Sequence, residues 1–302
     1  MPLPEHVALV SLTREVELPD LLQVAAAVQK QVTRDFSPLW GIAATVDAFP
    51  NLESIPSDYR PVVLFGDVGE LPDRLPALVG EQRAEPLLEA IEAGEIEGTH
   101  LTALTRQPFS LASATGAWPV TVSHETLEML ADPYGNRLVA AAHPIDRTRR
   151  VNYLLEVCDP CLSTYYTVNG IPVSDFYTPR YFDPVRIDSV RYSFTGAIAE
   201  PLEILEHGYL SWIDPQDSSV YQLIAGEQPV LLEGQAELAQ TRTALRTVVD
   251  TNPRTPRPGV VPLRRAPSAL ADEGANIGVL RASEGSAQRM AEALLALSGN
   301  LG

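Results

Sequence analysis

The stretch "HETLEMLADP" (residues 124–133) lies near the middle of a chain of 302 residues. On a helix, positions i and i+4 share one face a turn apart, so His124 and Glu128 project side by side. Glu125 is turned about 100° from His124 and stands beside that pair. Leu127, Leu130 and Ala131 offer apolar contacts on the side away from Glu125. Two readings compete. Either His124 and Glu128 hold a divalent ion, or this is a surface amphipathic helix with a solvated Glu128. Asp132 continues the i+4 ladder but lies about 12 Å along the axis from His124, too far to share one ion. Its place is in the turn that Pro133 and Gly135 impose, or at a second site.

An ion held by two helical side chains needs a third ligand, and "LLEVCDPC" (154–161) supplies Glu156 and Asp159. Either acid fits. Taken together, "SHETLEMLADP" (123–133) and "EVCDPC" (156–161) resemble a pattern of zincin-like metallopeptidases. The form is Ser-His-Glu-x-x-Glu-x-x-x-Asp-Pro followed by Glu-x-x-Asp-x-Cys, as in Exordium-like (phosphate-induced) proteins and bacterial relatives. Ser123, His124, Glu125, Glu128, Asp132, Pro133, Glu156, Asp159 and Cys161 match by position. The resemblance covers about 98–185 and the order of elements before it. It implies a metal-dependent hydrolase, most plainly a peptidase, with His124, Glu128 and Asp159 or Glu156 as ligands. Glu125 is then the general base that activates a water, as in His-Glu-x-x-His peptidases.

Where those peptidases carry a second His, this chain carries Glu128. One imidazole and two carboxylates nearly neutralise a divalent ion and form a harder site. Zinc is the expected metal, with manganese or calcium tolerated. Downstream, "VSDFYTPRYFDP" (173–184) crowds Asp175, Tyr177, Arg180, Tyr181 and Asp183 into one span. Tyr177 is the candidate donor to an oxyanion, and Arg180 and Tyr181 are candidate substrate-binding residues. Plain packing of the aromatics is the alternative. His100, on an expected edge strand, reads as structural, while the strand itself suits an extended peptide or protein substrate.

The formal net charge of −17 excludes nucleic acid and anionic membranes as partners. Lys30 is the only lysine, an arginine bias that reads as bacterial base composition. No secretory signal and no membrane-length apolar run is visible, so the expected location is cytoplasmic. Cys158 and Cys161 are the only cysteines, too few for a zinc knuckle. Free thiols or a short-range disulfide are expected of them, and a thiol-redox function is a third reading of the chain.

Periodicity predicts strands over 6–13, 41–49 and 60–68 and a helix over 18–40 with Leu21, Leu22, Val24, Ala25, Val28 and Val32 apolar. A helical acidic segment follows over 72–93, then an extended hairpin or edge strand over 98–114, then the signature helix after Pro119. Strands and turns are expected beyond it, with turn chemistry at "VNG". Helices are expected over 233–249 and 283–298, around a Pro/Arg-rich stretch at 251–268 that reads as a plain linker or as an extended arm docking on a partner or on the protein's own cleft. The fold class is therefore α/β (α+β): a zincin-like mixed twisted sheet with its signature helix (1–135), a strand-rich lower part (136–222) and a C-terminal helical extension (223–302). A non-catalytic binding or structural protein on the same scaffold is the second functional reading.

Overall fold

A computed structural model describes residues 4–66, 88, 98–102, 108–232, 249, 252, 254–256 and 261–266. The expected α+β class holds: helices lie beside one mixed sheet and two further sheets. The mixed sheet has the order β2-β1-β3-β5-β4. Its strands are β1 (Glu5–Ser11), β2 (Ala44–Phe49), β3 (Tyr59–Phe65), β4 (Gly98–Thr102) and β5 (Pro108–Ser113). Four of them run parallel, and β4 pairs antiparallel with β5 at the edge. The expected hairpin and the expected edge strand are therefore one feature.

The link between β1 and β2 is α1 (Leu18–Lys30), a connection long enough to make those strands parallel. Leu21, Val24, Ala25, Val28 and Val32 form its buried stripe, whereas Leu22 falls off the stripe and is half exposed. The helix continues as a π-helical turn, Gln31–Phe36, and a short α2 (Ser37–Trp40). Gly41 closes it at φ 69°, the left-handed conformation that a C-terminal cap uses. The wider π-turn brings Gln31 and Asp35 inward together. Asp35 there accepts from the Tyr166 hydroxyl at 2.8 Å and is gripped by Arg34.

The stretch quoted first lies on α3 (Trp118–Ala131), which opens with proline in its first turn. Every residue from Val120 to Ala131 is buried, so the surface-helix reading does not survive. Helix α3 packs on β5 and also on the β8–β9 hairpin, which α1 reaches too. That hairpin, β8 (Thr164–Val168) and β9 (Ile171–Ser174), turns through Asn169 at φ 52° and Gly170 at φ 83°. Asn-Gly is the pair that a two-residue turn with both φ positive selects.

A third sheet, order β12-β11-β10-β7-β6, is antiparallel throughout. It comprises β6 (Leu138–Ala142), β7 (Arg150–Leu154), β10 (Tyr209–Asp214), β11 (Ser219–Ile224) and β12 (Val230–Leu231). Trp212 packs there against Tyr153, His143 and Tyr221. The boundary expected at 222 falls inside β11, and the compact unit runs from Met1 to Ala266. The expected linker supplies β13 (Arg264–Arg265), which pairs parallel with β8 through bonds from Arg264 N to Ser163 O and Ala266 N to Tyr165 O. Beside it, Val249 is fully buried with Leu162, Tyr209 and Val220. Over 191–197 the only strand pairing among the described residues is a bridge between Ser193 and Tyr177. The helices expected over 72–93, 233–249 and 283–298 lie outside the described residues, Leu88 and Val249 apart, as does the second unit, Pro267–Gly302. No helix among the described residues is long and apolar enough to cross a membrane.

One buried hydrogen-bond ring ties three of these elements together. Ser123 Oγ on α3 donates to Gln31 Oε1 at 2.8 Å and accepts from Ser174 N on β9 at 3.0 Å. Gln31 Nε2 closes the ring on Ser174 O at 2.9 Å. Ser123→Ala leaves one buried acceptor and one buried donor without that partner, so urea unfolding should show a loss of about 1–3 kcal/mol at unchanged m-value.

Candidate metal centre

Helix α3 carries His124, Glu125 and Glu128, all with zero exposure. The chain leaving β7 carries Glu156 and then a 3-10 turn, Asp159–Cys161, both acids being at most 3% exposed. His124 Nε2 lies 3.4 Å from Glu128 Oε2 and 3.3 Å from Asp159 Oδ1. Donors about 2.0–2.2 Å from a tetrahedral ion sit roughly 3.3–3.6 Å apart, so this spacing is the edge of such a tetrahedron. Glu128 Oε1 accepts from the amide of Cys158 at 3.1 Å, which turns Oε2 towards His124. A backbone donor behind a ligand carboxylate is the kind of outer contact that orients metal ligands.

Two overlapping groups can hold a cation: His124 with Glu128 and Cys158, and Glu128 with Glu156 and Asp159. Within each, the donor atoms lie within 4.8 Å of one another. Of the two acids left open by the sequence, Asp159 is the one that reaches His124, while Glu156 meets the cluster through Glu128 and Asp159. Burial disfavours a charged His124, but Glu128, Asp159 and Glu125 outweigh it and push its pKa up to about 10. Burial and the Glu128 charge push Asp159 up to about 7, with His124 and Tyr209 pulling the other way. The cluster draws positive charge inward. A proton on His124 answers that demand in part, and a divalent ion answers it more fully.

The turn bearing Asp159 is held from several sides. Leu205 N donates to Pro160 O at 2.8 Å, and Tyr177 N donates to Val157 O at 2.7 Å. Tyr177 is fully buried, stacked on Tyr181 at 4.5 Å and flanked by Trp40, whose indole donates to the Tyr177 carbonyl. Burial, Tyr181, Glu128, Asp159 and Cys158 raise the Tyr177 phenol well above its ordinary pKa. Its hydroxyl has no hydrogen-bond partner among the described residues. It therefore remains a proton donor available beside the cluster.

Other expected site residues are placed elsewhere. Arg180 is exposed and held by Asp183 at 2.6 Å, and the Tyr181 hydroxyl is committed to the Glu203 carbonyl at 2.9 Å. Neither is presented to the cluster as a substrate contact, because the 3-10 turn Pro179–Phe182 directs one outward and packs the other. Asp175 binds the amide and hydroxyl of Thr195, and burial still raises it to about 6. Asp132 accepts from Arg137 N at 2.7 Å across the turn, the role its position implied. His100 lies on β4, opposite Ser110. Cys158 and Cys161 are free thiols, pushed well above their ordinary range by burial, unlike the lowered thiols of redox pairs. The sequence reading did not count Cys158 among the ligands; its signal was the position one residue before Asp159.

Fold and site together define an α+β protein with a buried, carboxylate-rich cluster able to hold a metal ion. Comparison with family models, curated proteins and solved structures finds no match for this chain.

Gly208 leaves the turn bearing Asp159 its room: a Cβ there would stand 2.5 Å from Pro160 O and 2.8 Å from Asp159 O, both backbone atoms. Gly208→Ala should destabilise the protein by about 1–3 kcal/mol and weaken metal uptake, read by thermal unfolding and zinc titration.

Proposed function

We propose that the chain is a metal-dependent hydrolase, acting on peptide or protein substrates, with zinc as its metal. The observation that carries this reading is the tetrahedral-edge spacing of His124 Nε2 from Glu128 Oε2 and Asp159 Oδ1. The likeness of "SHETLEMLADP" and "EVCDPC" to the zincin-like pattern supports it, as does an antiparallel edge strand, β4, beside the strand on which α3 packs. His124, Glu128 and Asp159 hold the ion, and Glu156 stands behind two of them. When bound, the ion supplies Lewis acidity at a water and at the substrate carbonyl.

The remaining work falls to the chain's own groups. Glu125, one residue from His124 and turned about 100° around the helix, takes the proton of the attacking water and passes it to the leaving amine. The Tyr177 hydroxyl, which has no other partner among the described residues, donates to the oxyanion. An extended substrate pairs with the edge of β4 through its main chain.

Burial favours a second reading. With ligands and base at 0–3% exposure, a metal held for stability alone fits the same donors, and turnover requires the centre to open. The two readings separate experimentally. Protein purified without a histidine tag should carry close to one metal ion per chain, and His124→Ala with Glu128→Ala should carry none. Glu125→Gln should keep the metal and the melting temperature while losing roughly 10²–10⁴-fold in peptide hydrolysis. Stoichiometric metal with no hydrolysis across a peptide library, and a melting temperature that falls on chelation, would establish the structural role instead.

A further inference from the structure

Three protein ligands and one open position are the mark of a catalytic zinc site, whereas four protein ligands make a closed, structural one. Two of the ligands proposed above, His124 and Glu128, also stand with a thiol, whereas Asp159 groups with Glu128 and Glu156. Cys158 Sγ belongs to a group with His124 and Glu128 whose donor atoms are within 4.8 Å of one another. The thiol donates to the His124 carbonyl oxygen at 3.9 Å, and the amide of the same residue donates to Glu128 Oε1 at 3.1 Å. Cys158 is thus tied, by side chain and by main chain, to the two helical residues that hold the ion. It is fully buried, forms no disulfide and immediately precedes Asp159.

We propose that Cys158 supplies a sulfur ligand to the ion, beside His124 and Glu128, in the resting centre. The inference rests on the metal reading above and specifies its ligand field. On binding, the S–H bond breaks and a sulfur–metal bond forms. The proton leaves to solvent, and no electrons are exchanged. A thiolate beside an imidazole favours zinc over manganese or calcium, reversing the hardness that one His and two carboxylates would confer alone. The zero exposure of His124, Glu128 and Cys158 agrees with a sphere completed by protein rather than by water. Opening such a centre to substrate means releasing Cys158.

Cobalt(II) tests this directly, because a thiolate bound to it produces an intense near-ultraviolet charge-transfer band. The full chain has two cysteines only, so Cys161→Ala leaves Cys158 as its one thiol. Cobalt-loaded wild type and Cys161→Ala should both show the band, and Cys158→Ala and Cys158→Ser should lack it. Zinc affinity should fall at least tenfold in the Cys158 variants, with manganese affinity changed by less than about twofold. Cobalt uptake without the band in wild type, or a band lost in Cys161→Ala but kept in Cys158→Ser, overturns the proposal and leaves the metal reading intact. No cobalt uptake by wild type overturns both.

Discussion

Much of this structure depends on burying a charged cluster along one fully enclosed helix. An isolated carboxylate or imidazolium taken out of water carries a large desolvation cost, met only by opposite charge and hydrogen bonds. Helix α3 accepts that cost three times in five residues, at His124, Glu125 and Glu128, with Glu156 and Asp159 brought up from another segment. A surface helix with the same residues would have met no such cost and needed no partner segment. The enclosure of α3 between β5 and the β8–β9 hairpin turns an acidic stretch into a demand for positive charge.

Meeting that demand takes close placement, and buried polar contacts supply part of it beside the apolar core that takes Val122, Leu127 and Met129. The ring of Ser123, Gln31 and Ser174 joins α3 to the π-turn and to β9. The Cys158 amide turns Glu128, the Val157 carbonyl seats Tyr177, and Gly208 lets another loop pass close to Asp159 and Pro160. These bonds are buried, where hydrogen bonds are strong and their loss is costly, so they restrict the rotation of α3 as well as its position. The strand β13 adds a further constraint next to the metal turn, through Ser163 and Tyr165.

Access is the property on which the hydrolase and structural readings divide. They use the same ligands, and they differ in whether water and substrate reach them. With its donors at most 3% exposed, the cluster as it stands is closed to both, so a catalytic design built on it has to open. The edge position of β4 and the Tyr177 hydroxyl, unpartnered among the described residues, are the features the hydrolase reading would use.

Several features were legible in local sequence. The i, i+4 pairing of His124 and Glu128, the offset of Glu125, the Asn-Gly turn of the β8–β9 hairpin and the turn role of Asp132 each follow from spacing along a few residues. The alternating class of the first half was legible too, because apolar periods of helix and strand differ. The choice between Asp159 and Glu156 was not, since both follow β7 within five residues and only the path of the 3-10 turn brings Asp159 to His124. Nor was the commitment of Arg180 and Tyr181 to Asp183 and Glu203, nor the sulfur of Cys158 beside the cluster. The docking of the Pro/Arg-rich segment on β8 escaped for the same cause. Sequence alone determined which side chains share a helix face, because that depends on a repeat of a few residues. Tertiary structure alone decided which distant donors converge and that they do so away from water, because burial and close approach are properties of packed segments far apart in the chain.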